Sequence, residues 1–325
     1  MGALITGVLV GQAVLARRTI PMAESPPPRC DGRYGTEHDG PEIGLVVLGD
    51  STAAGYGADV ARNTPGALLA AGLAEQTSRP VRLHCFAVVG AESADLPPQV
   101  DRALKLRPEV AVIFIGGNDV THRVPLREAV RHLVKAVREL RAAGIQVVVG
   151  TCPDLGTIEP IQPPLRWVAR RCARQMAAAQ TVAVVEAGGR TVSLGDLIGP
   201  AFAADPARMF SHDRFHPSGD GYAAAASAVL PTVVAALTGG VGDERATLGR
   251  GEGVRTLPQA AVEAAGRPGT EVSGVRVAGT DSGPAGLWAQ LRTRVWSRTE
   301  HPTDPAMNGS HVLLEHDGAQ PSTAE

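Results

Sequence analysis

Aromatic residues are scarce, with three Trp, three Tyr and five Phe among 325 residues, or 3% of the chain. A core without large rings has to be assembled from small and branched aliphatics, a composition that suits helices packed closely on a parallel sheet. Excess charge of either sign is also missing. Lys and Arg number 31 against 33 Asp and Glu, and the formal charge of −2 offers no general attraction for a phosphate backbone, which argues against a nucleic-acid partner. The four cysteines, Cys30, Cys85, Cys152 and Cys172, show neither Cys-x-x-Cys nor Cys/His ligand spacing, which speaks against zinc and redox chemistry. Cys85 and Cys152 sit in apolar runs and read as buried small hydrophobes, while a disulfide among the four stays open. No Gly-x-Ser-x-Gly and no Gly-x4-Gly-Lys-Ser/Thr occurs, which sets aside the nucleophile elbow and the P-loop.

Long apolar runs are few. The stretch ALITGVLVGQAVLA, Ala3 to Ala16, is followed by Arg17 and Arg18. It is shorter than the roughly 20 residues that span a bilayer and lacks a basic leader, so residues 1–18 read as a membrane anchor or uncleaved signal, with a short surface helix as the alternative. An anchor would make the protein membrane-associated or part of the cell envelope. Without one it would be cytoplasmic. Residues 19–41 contain the Pro26 to Pro28 run and read as an extended linker.

From Ile43 onward the pattern changes to strands alternating with helices. Continuous apolar runs at Ile43 to Leu48, Val81 to Val89, Val110 to Ile115, Ile145 to Gly150 and Thr181 to Val185 predict five strands buried on both faces. Helical segments are expected at Thr64 to Gln76, Ser93 to Leu106, Pro125 to Ala143, Pro164 to Ala179 and Gly219 to Leu237. The alternation predicts a three-layer α/β/α domain over residues 42–239, with a flavodoxin-like, doubly wound, parallel five-stranded sheet. Ligands in such sheets bind beyond the carboxyl ends of the strands. Residues 240–325 are rich in Gly, Pro, Thr, Ser and charge and read as a mostly disordered tail, with an amphipathic helix at 286–298 as an exception.

The polar motifs fall at those carboxyl ends. Gly49-Asp50-Ser51 follows the first strand and leads into the loop TAAGYGA, where a serine is exposed at the sheet edge. Val89-Gly90 ends the second run, and Gly90 N–H is a candidate hydrogen-bond donor to an oxyanion. Gly116-Gly117-Asn118-Asp119 ends the third strand, beside the first in a doubly wound sheet, so the Asn118 amide can serve the same oxyanion. Asp213-Arg214-Phe215-His216 precedes the last helix, with an acid three residues before a histidine on one loop, placed to fix the imidazole tautomer. His212 lacks that offset and His122 has no acid at it, which favours His216 as the base.

Together these four blocks resemble the signature blocks of the SGNH, or GDSL-like, hydrolases, and look most like actinobacterial membrane-linked members. The resemblance covers Ile43 to Leu237 and departs from the usual pattern at Thr52, where the family carries leucine. It implies a serine esterase in which Ser51, Asp213 and His216 form the triad. Ser51 N–H, Gly90 N–H and the Asn118 side chain would form the oxyanion hole. The expected partner is a small-molecule, lipid or glycan ester, and no cofactor or metal is called for. Two other readings stay in play: a metal-dependent phosphoesterase built on Asp50, Asp119 and Asp213, and a non-catalytic envelope protein that binds acylated glycans.

Overall fold

The computed structural model describes residues 11–12 and 26–238, together with the backbone of three two-residue strands at 271–272, 276–277 and 280–281. The parallel core of the sheet consists of β2 (Ile43–Gly49), β3 (Val81–Cys85), β4 (Val110–Phe114), β5 (Gln146–Gly150) and β6 (Arg190–Val192). Two short antiparallel strands, β1 (Gly32–Tyr34) and β7 (Glu271–Val272), extend its edges, so the order is β1-β3-β2-β4-β5-β6-β7. Among the parallel strands this is the flavodoxin-like order, with the first strand between the second and third. A separate pair, β8 (Arg276–Val277) and β9 (Thr280–Asp281), lies in the tail region.

Alternation along each strand divides the core into two layers. Leu45 and Val47 of β2 face the same cluster as Val110, Val112 and Val148, under α2 (Pro65–Thr77) and α10 (Gly219–Leu237). Val46 and Leu48 face the opposite cluster with Ala111, Ile113, Val147 and Val149. There they meet α3 (Leu96–Leu106), α5 (Leu126–Ala142) and α6 (Leu165–Glu186). The α5 side that packs inward is Ala129, Leu133, Ala136, Val137 and Leu140, spacings of three and four that make one helical face. Helix starts follow capping rules: Thr64 Oγ1 accepts from Ala67 N–H at 3.3 Å, with Pro65 at the first helical position of α2.

Three expectations need correction. Thr181 to Val185 is not a strand but the last part of α6, and the fifth parallel strand is β6, just beyond Gly188 and Gly189. The β-branched run TVAVV carries strand propensity, yet no turn residue separates it from the Ala-rich stretch before it, so the helix continues to the glycines. Helical placement also lets Gln180 bridge two strand ends, accepting from Cys152 N–H at 2.8 Å and donating to Ile115 O at 2.9 Å. The sheet also reaches into the segment read as linker, because Gly32–Tyr34 pairs with β3. Finally, β3 stops at Cys85, and Val88 and Val89 lie exposed on the loop that follows.

Of residues 1–18, only Gly11 and Gln12 are described, and Gln12 donates to Pro163 O at 2.7 Å and accepts from Leu165 N–H at 3.1 Å. The expected amphipathic helix at 286–298 lies outside the described residues. Among the described residues one helix, α10, is long and apolar enough to cross a membrane by length and composition, with a mean hydropathy of 1.4. Half of it is buried, and Ala226, Val229, Val233 and Ala236 belong to the core on the α2 side of the sheet.

Candidate active site

Ser51 begins α1 (Ser51–Ala54) directly after β2. The turn depends on Gly49: its φ is +131°, and a Cβ there would lie 1.8 Å from Phe114 O, so only glycine lets β2 and β4 approach at this point. The Gln99 side chain holds the same glycine from the other side, accepting from its N–H at 2.7 Å and donating to its carbonyl at 3.0 Å. Asp50 caps α1 by accepting from Thr52 N–H at 2.9 Å. Asp50 is fully buried, and that burial, with the Asp119 charge adding to it, raises its pKa to about 7 against the opposing N–H donors of Thr52 and Ala53.

The opposite wall is the loop Ser211 to His216. Ser211 N–H donates to His216 O at 2.8 Å, and Phe210 bridges to Pro217, so the loop closes on itself. Asp213 Oδ1 accepts from Ser211 Oγ at 2.8 Å, Phe215 N–H at 2.8 Å and His216 N–H at 2.9 Å. Its Oδ2 lies 2.6 Å from His216 Nδ1. Burial opposes ionisation of Asp213, but these four donors outweigh it and hold the pKa at about 2. His216 Nε2 in turn lies 3.0 Å from Ser51 Oγ. The ring is packed edge-on by Tyr56, at a centroid distance of 4.5 Å, and by Phe215, at 4.9 Å. Gly57 admits this loop, since a Cβ there would sit 2.8 Å from Pro217 O and 3.1 Å from His216 Cβ.

Asn118 lies in α4 (Gly117–Thr121) and lines the same cleft as Ser51 and His216. One N–H of its amide donates to Ala91 O at 2.9 Å, which fixes the plane of the group and leaves the second N–H unassigned by that bond. Gly90, with φ +84°, lies on the exposed loop after β3, next to Ala91, whose carbonyl holds the Asn118 amide. Asp119 is fully buried, and both its carboxylate oxygens accept from Ser93, at 2.9 to 3.1 Å. The two alternative bases lie apart from this arrangement. His212 is exposed, and His122 pairs with Glu92 at 2.8 Å. Sequence reasoning missed Gln99, Tyr56, Ser211 and Tyr222. Tyr222 is fully buried and donates its hydroxyl to Tyr56 O at 2.7 Å. Of these only Ser211, two residues before Asp213, carried a local signal.

The cleft holds about 670 Å³ of empty space, part of it open to solvent. Beyond Ser51 its wall is apolar, formed by Leu155, Ile158, Leu194, Ile198, Phe202 and Phe210.

A hydrogen-bonded Ser–His–Asp line at the carboxyl edge of a parallel α/β/α sheet is one of the arrangements on which serine hydrolases are built. The chain belongs, more narrowly, to the GDSL-like lipase/acylhydrolase family and is an ester hydrolase of it: the family profile matches residues 47–224. It is 46% identical over 243 residues to the GDSL-like esterase Rv1075c of Mycobacterium tuberculosis, covering 71% of this chain and 77% of that protein. Among solved structures, the lipase/acylhydrolase from Enterococcus faecalis aligns with a TM-score of 0.49 at 18% identity, over 59% of this chain and 95% of that one. The acetylxylan esterase Axe2 from Geobacillus stearothermophilus aligns with a TM-score of 0.45 at 20% identity, over 58% and 92%.

Proposed function

We propose that the chain cleaves carboxylic esters of short or medium acyl chains through an acyl-enzyme on Ser51. The observation that carries this reading is the continuous line from Ser51 Oγ through His216 to Asp213, at 3.0 and 2.6 Å. His216 Nε2 takes the Ser51 proton as Oγ attacks the acyl carbonyl, then delivers it to the leaving alkoxide. In the second half, water loses its proton to His216, attacks the acyl carbon and frees Ser51. Asp213, ionised at all physiological pH values, holds Nδ1–H and stabilises the imidazolium as it forms. Ser51 N–H, Gly90 N–H and the Asn118 amide receive the oxyanion.

The apolar wall opposite Ser51 would take the acyl chain, with the alcohol portion toward the open side. The serine reading is favoured over a metal phosphoesterase because Asp119 and Asp213 direct their oxygens at Ser93 and at the Ser211–His216 loop. Residues 1–18 would serve as a membrane anchor or, as the bonds of Gln12 to Pro163 O and Leu165 N–H favour, as a short helix docked on the domain.

The test treats the full chain and Ser51→Ala with a fluorophosphonate and weighs both intact by mass spectrometry. Wild type should gain one adduct and Ser51→Ala none, with turnover lost in the variant. Across p-nitrophenyl esters of increasing acyl length, kcat/KM should rise by up to about fourfold per methylene until the wall is filled, since each buried CH₂ contributes about 0.8 kcal/mol. A series flat or falling from acetate would remove the acyl pocket from the proposal, and labelling of Ser51→Ala would remove the nucleophile.

A further inference from the structure

Cys30 and Cys85 stand opposite each other where β1 and β3 run antiparallel. The register pairs Tyr34 with Val81, Arg33 with Arg82 and Gly32 with Leu83. Carried two residues further it sets Asp31 against His84 and Cys30 against Cys85. The first of these is borne out by side chains, with Asp31 Oδ1 3.8 Å from His84 Nδ1. At the second, the backbone groups are engaged elsewhere: Cys85 N–H donates to Asp31 Oδ1 at 2.9 Å, and Cys30 O accepts from Tyr34 Oη at 2.7 Å. Opposed residues of an antiparallel pair bring their Cα atoms to about 4.5–5.5 Å, within the range a disulfide spans.

Opposed residues also project to the same face of a sheet. Cys30, Leu83 and Val81 belong to the cluster under α2 and α10, and Cys85 packs against it. The Cys30 sulfur rests over Gly66 at the start of α2, where a Cβ would approach it to 3.2 Å, and the Cys85 sulfur lies 3.7 Å from Ala53 O. Both are free thiols here, and each shifts the other's ionisation, Cys30 downward and Cys85 upward. The remaining cysteines are elsewhere: Cys152 belongs to a different cluster, beyond β5, and Cys172 is exposed on α6.

We propose that Cys30 and Cys85 form a cross-strand disulfide that fastens β1 to the sheet beneath the turn carrying Ser51. The neighbouring Cys85 thiol outweighs burial and lowers the Cys30 thiol, which favours its thiolate. Cys85 is the partly exposed member and the point of entry. The oxidant is a low-molecular-weight disulfide. Cys85 passes its proton to the neighbouring Cys30 thiolate and attacks one sulfur of that disulfide, forming a mixed disulfide on Cys85 and releasing one small thiol. Cys30 thiolate then attacks the Cys85 sulfur, the second small thiol leaves, and the two cysteine protons end on the two released thiols. The sulfurs of Cys30 and Cys85 are oxidised and the small disulfide is reduced. Closing a loop between residues 30 and 85 restricts the unfolded chain, whereas the native chain already holds the two sulfurs together.

The experiment uses the full-length chain, reduced and then exposed to glutathione disulfide at neutral pH. It is quenched in acid, denatured, alkylated and digested without reductant. Mass spectrometry should find the Cys30 and Cys85 peptides joined, two hydrogen masses below their sum, with Cys152 and Cys172 in no intrachain link. The oxidised chain should melt about 5–15 °C above the reduced one. That gain should be absent from both Cys30→Ser and Cys85→Ser. Wild-type protein whose Cys30 and Cys85 both carry the alkyl label after oxidation overturns the proposal, as does either cysteine joined to Cys152 or Cys172. The peptide readout on wild type decides the matter even where a serine variant folds poorly, and it is independent of whether Ser51 is the nucleophile.

Discussion

At the scale of single residues, Asn118 and Asp50 have separate tasks although both lie within reach of Ser51. Asn118 is oriented by its bond to Ala91 O and would act only on charge that appears as the ester carbonyl is attacked. Asn118→Ala is therefore expected to lower kcat by about 100- to 1000-fold with a smaller change in KM, and to slow fluorophosphonate labelling without abolishing it. Steady-state kinetics on folded protein would check this, and near-normal kcat with chemistry rate-limiting would remove Asn118 from the oxyanion site. Asp50 has a folded pKa of about 7, raised by burial above an unfolded value of about 3.9. Its proton is thus bound more tightly in the folded chain, and the stability this contributes is complete below pH of about 4 and is lost as pH rises through about 7. Asp213 has the opposite sign: its depressed pKa adds stability above pH of about 4 that disappears as pH falls toward about 2. Urea midpoints measured from pH 5 to pH 8 should fall more steeply for wild type than for Asp50→Asn, and equal slopes would contradict the buried, protonated Asp50.

At the scale of elements, the site exists because helices and strand ends are tied together by buried amides. Gln180 is 1% exposed and joins α6 to the ends of β4 and β5, just behind Gly116 and Asn118. Gln180→Leu leaves Cys152 N–H and Ile115 O without that partner, and the expected loss is about 2–6 kcal/mol of unfolding free energy, from roughly 1–3 for each stranded group. Chemical denaturation of the full chain measures it, and a loss below about 1 kcal/mol would mean that the amide bridge is not what holds α6 there. Gln180 also explains why the run Thr181 to Val185 could not be read correctly in isolation. Its side chains are those of a strand, but the bridging residue immediately before it is usable only on a helix that crosses both strand ends. By contrast β2, β4 and β5 were legible because each is a short apolar run buried on both faces and bounded by glycine or a polar residue.

At the scale of the whole molecule, the chain that folds is longer at its amino end than the hydrolase motifs suggest. Cys30 and Tyr34 pack on the α2 side of the sheet, so β1 is part of the domain. A chain of residues 26–238 is expected to hydrolyse a soluble short-chain ester and to melt higher than one of residues 42–238, with calorimetry as the measurement. Equal melting temperatures would show that β1 adds nothing to the fold. Within the sequence itself, the doubly wound order, the serine at the end of the first parallel strand and the acid three residues before a histidine were all readable. Each depends on local pattern: apolar runs of strand length, a glycine turn at a strand end, and two polar residues on one loop. Tertiary structure alone decided the rest. Ser51 and His216 lie 165 positions apart and meet at 3.0 Å only because β2 is central and the Ser211–His216 loop folds back over its end. Gln99, Tyr56 and Tyr222 owe their positions to the same long-range packing, and so does the opposition of Cys30 and Cys85. No periodicity records which distant side chains a folded sheet will bring into contact, because that is fixed by the order and register of its strands.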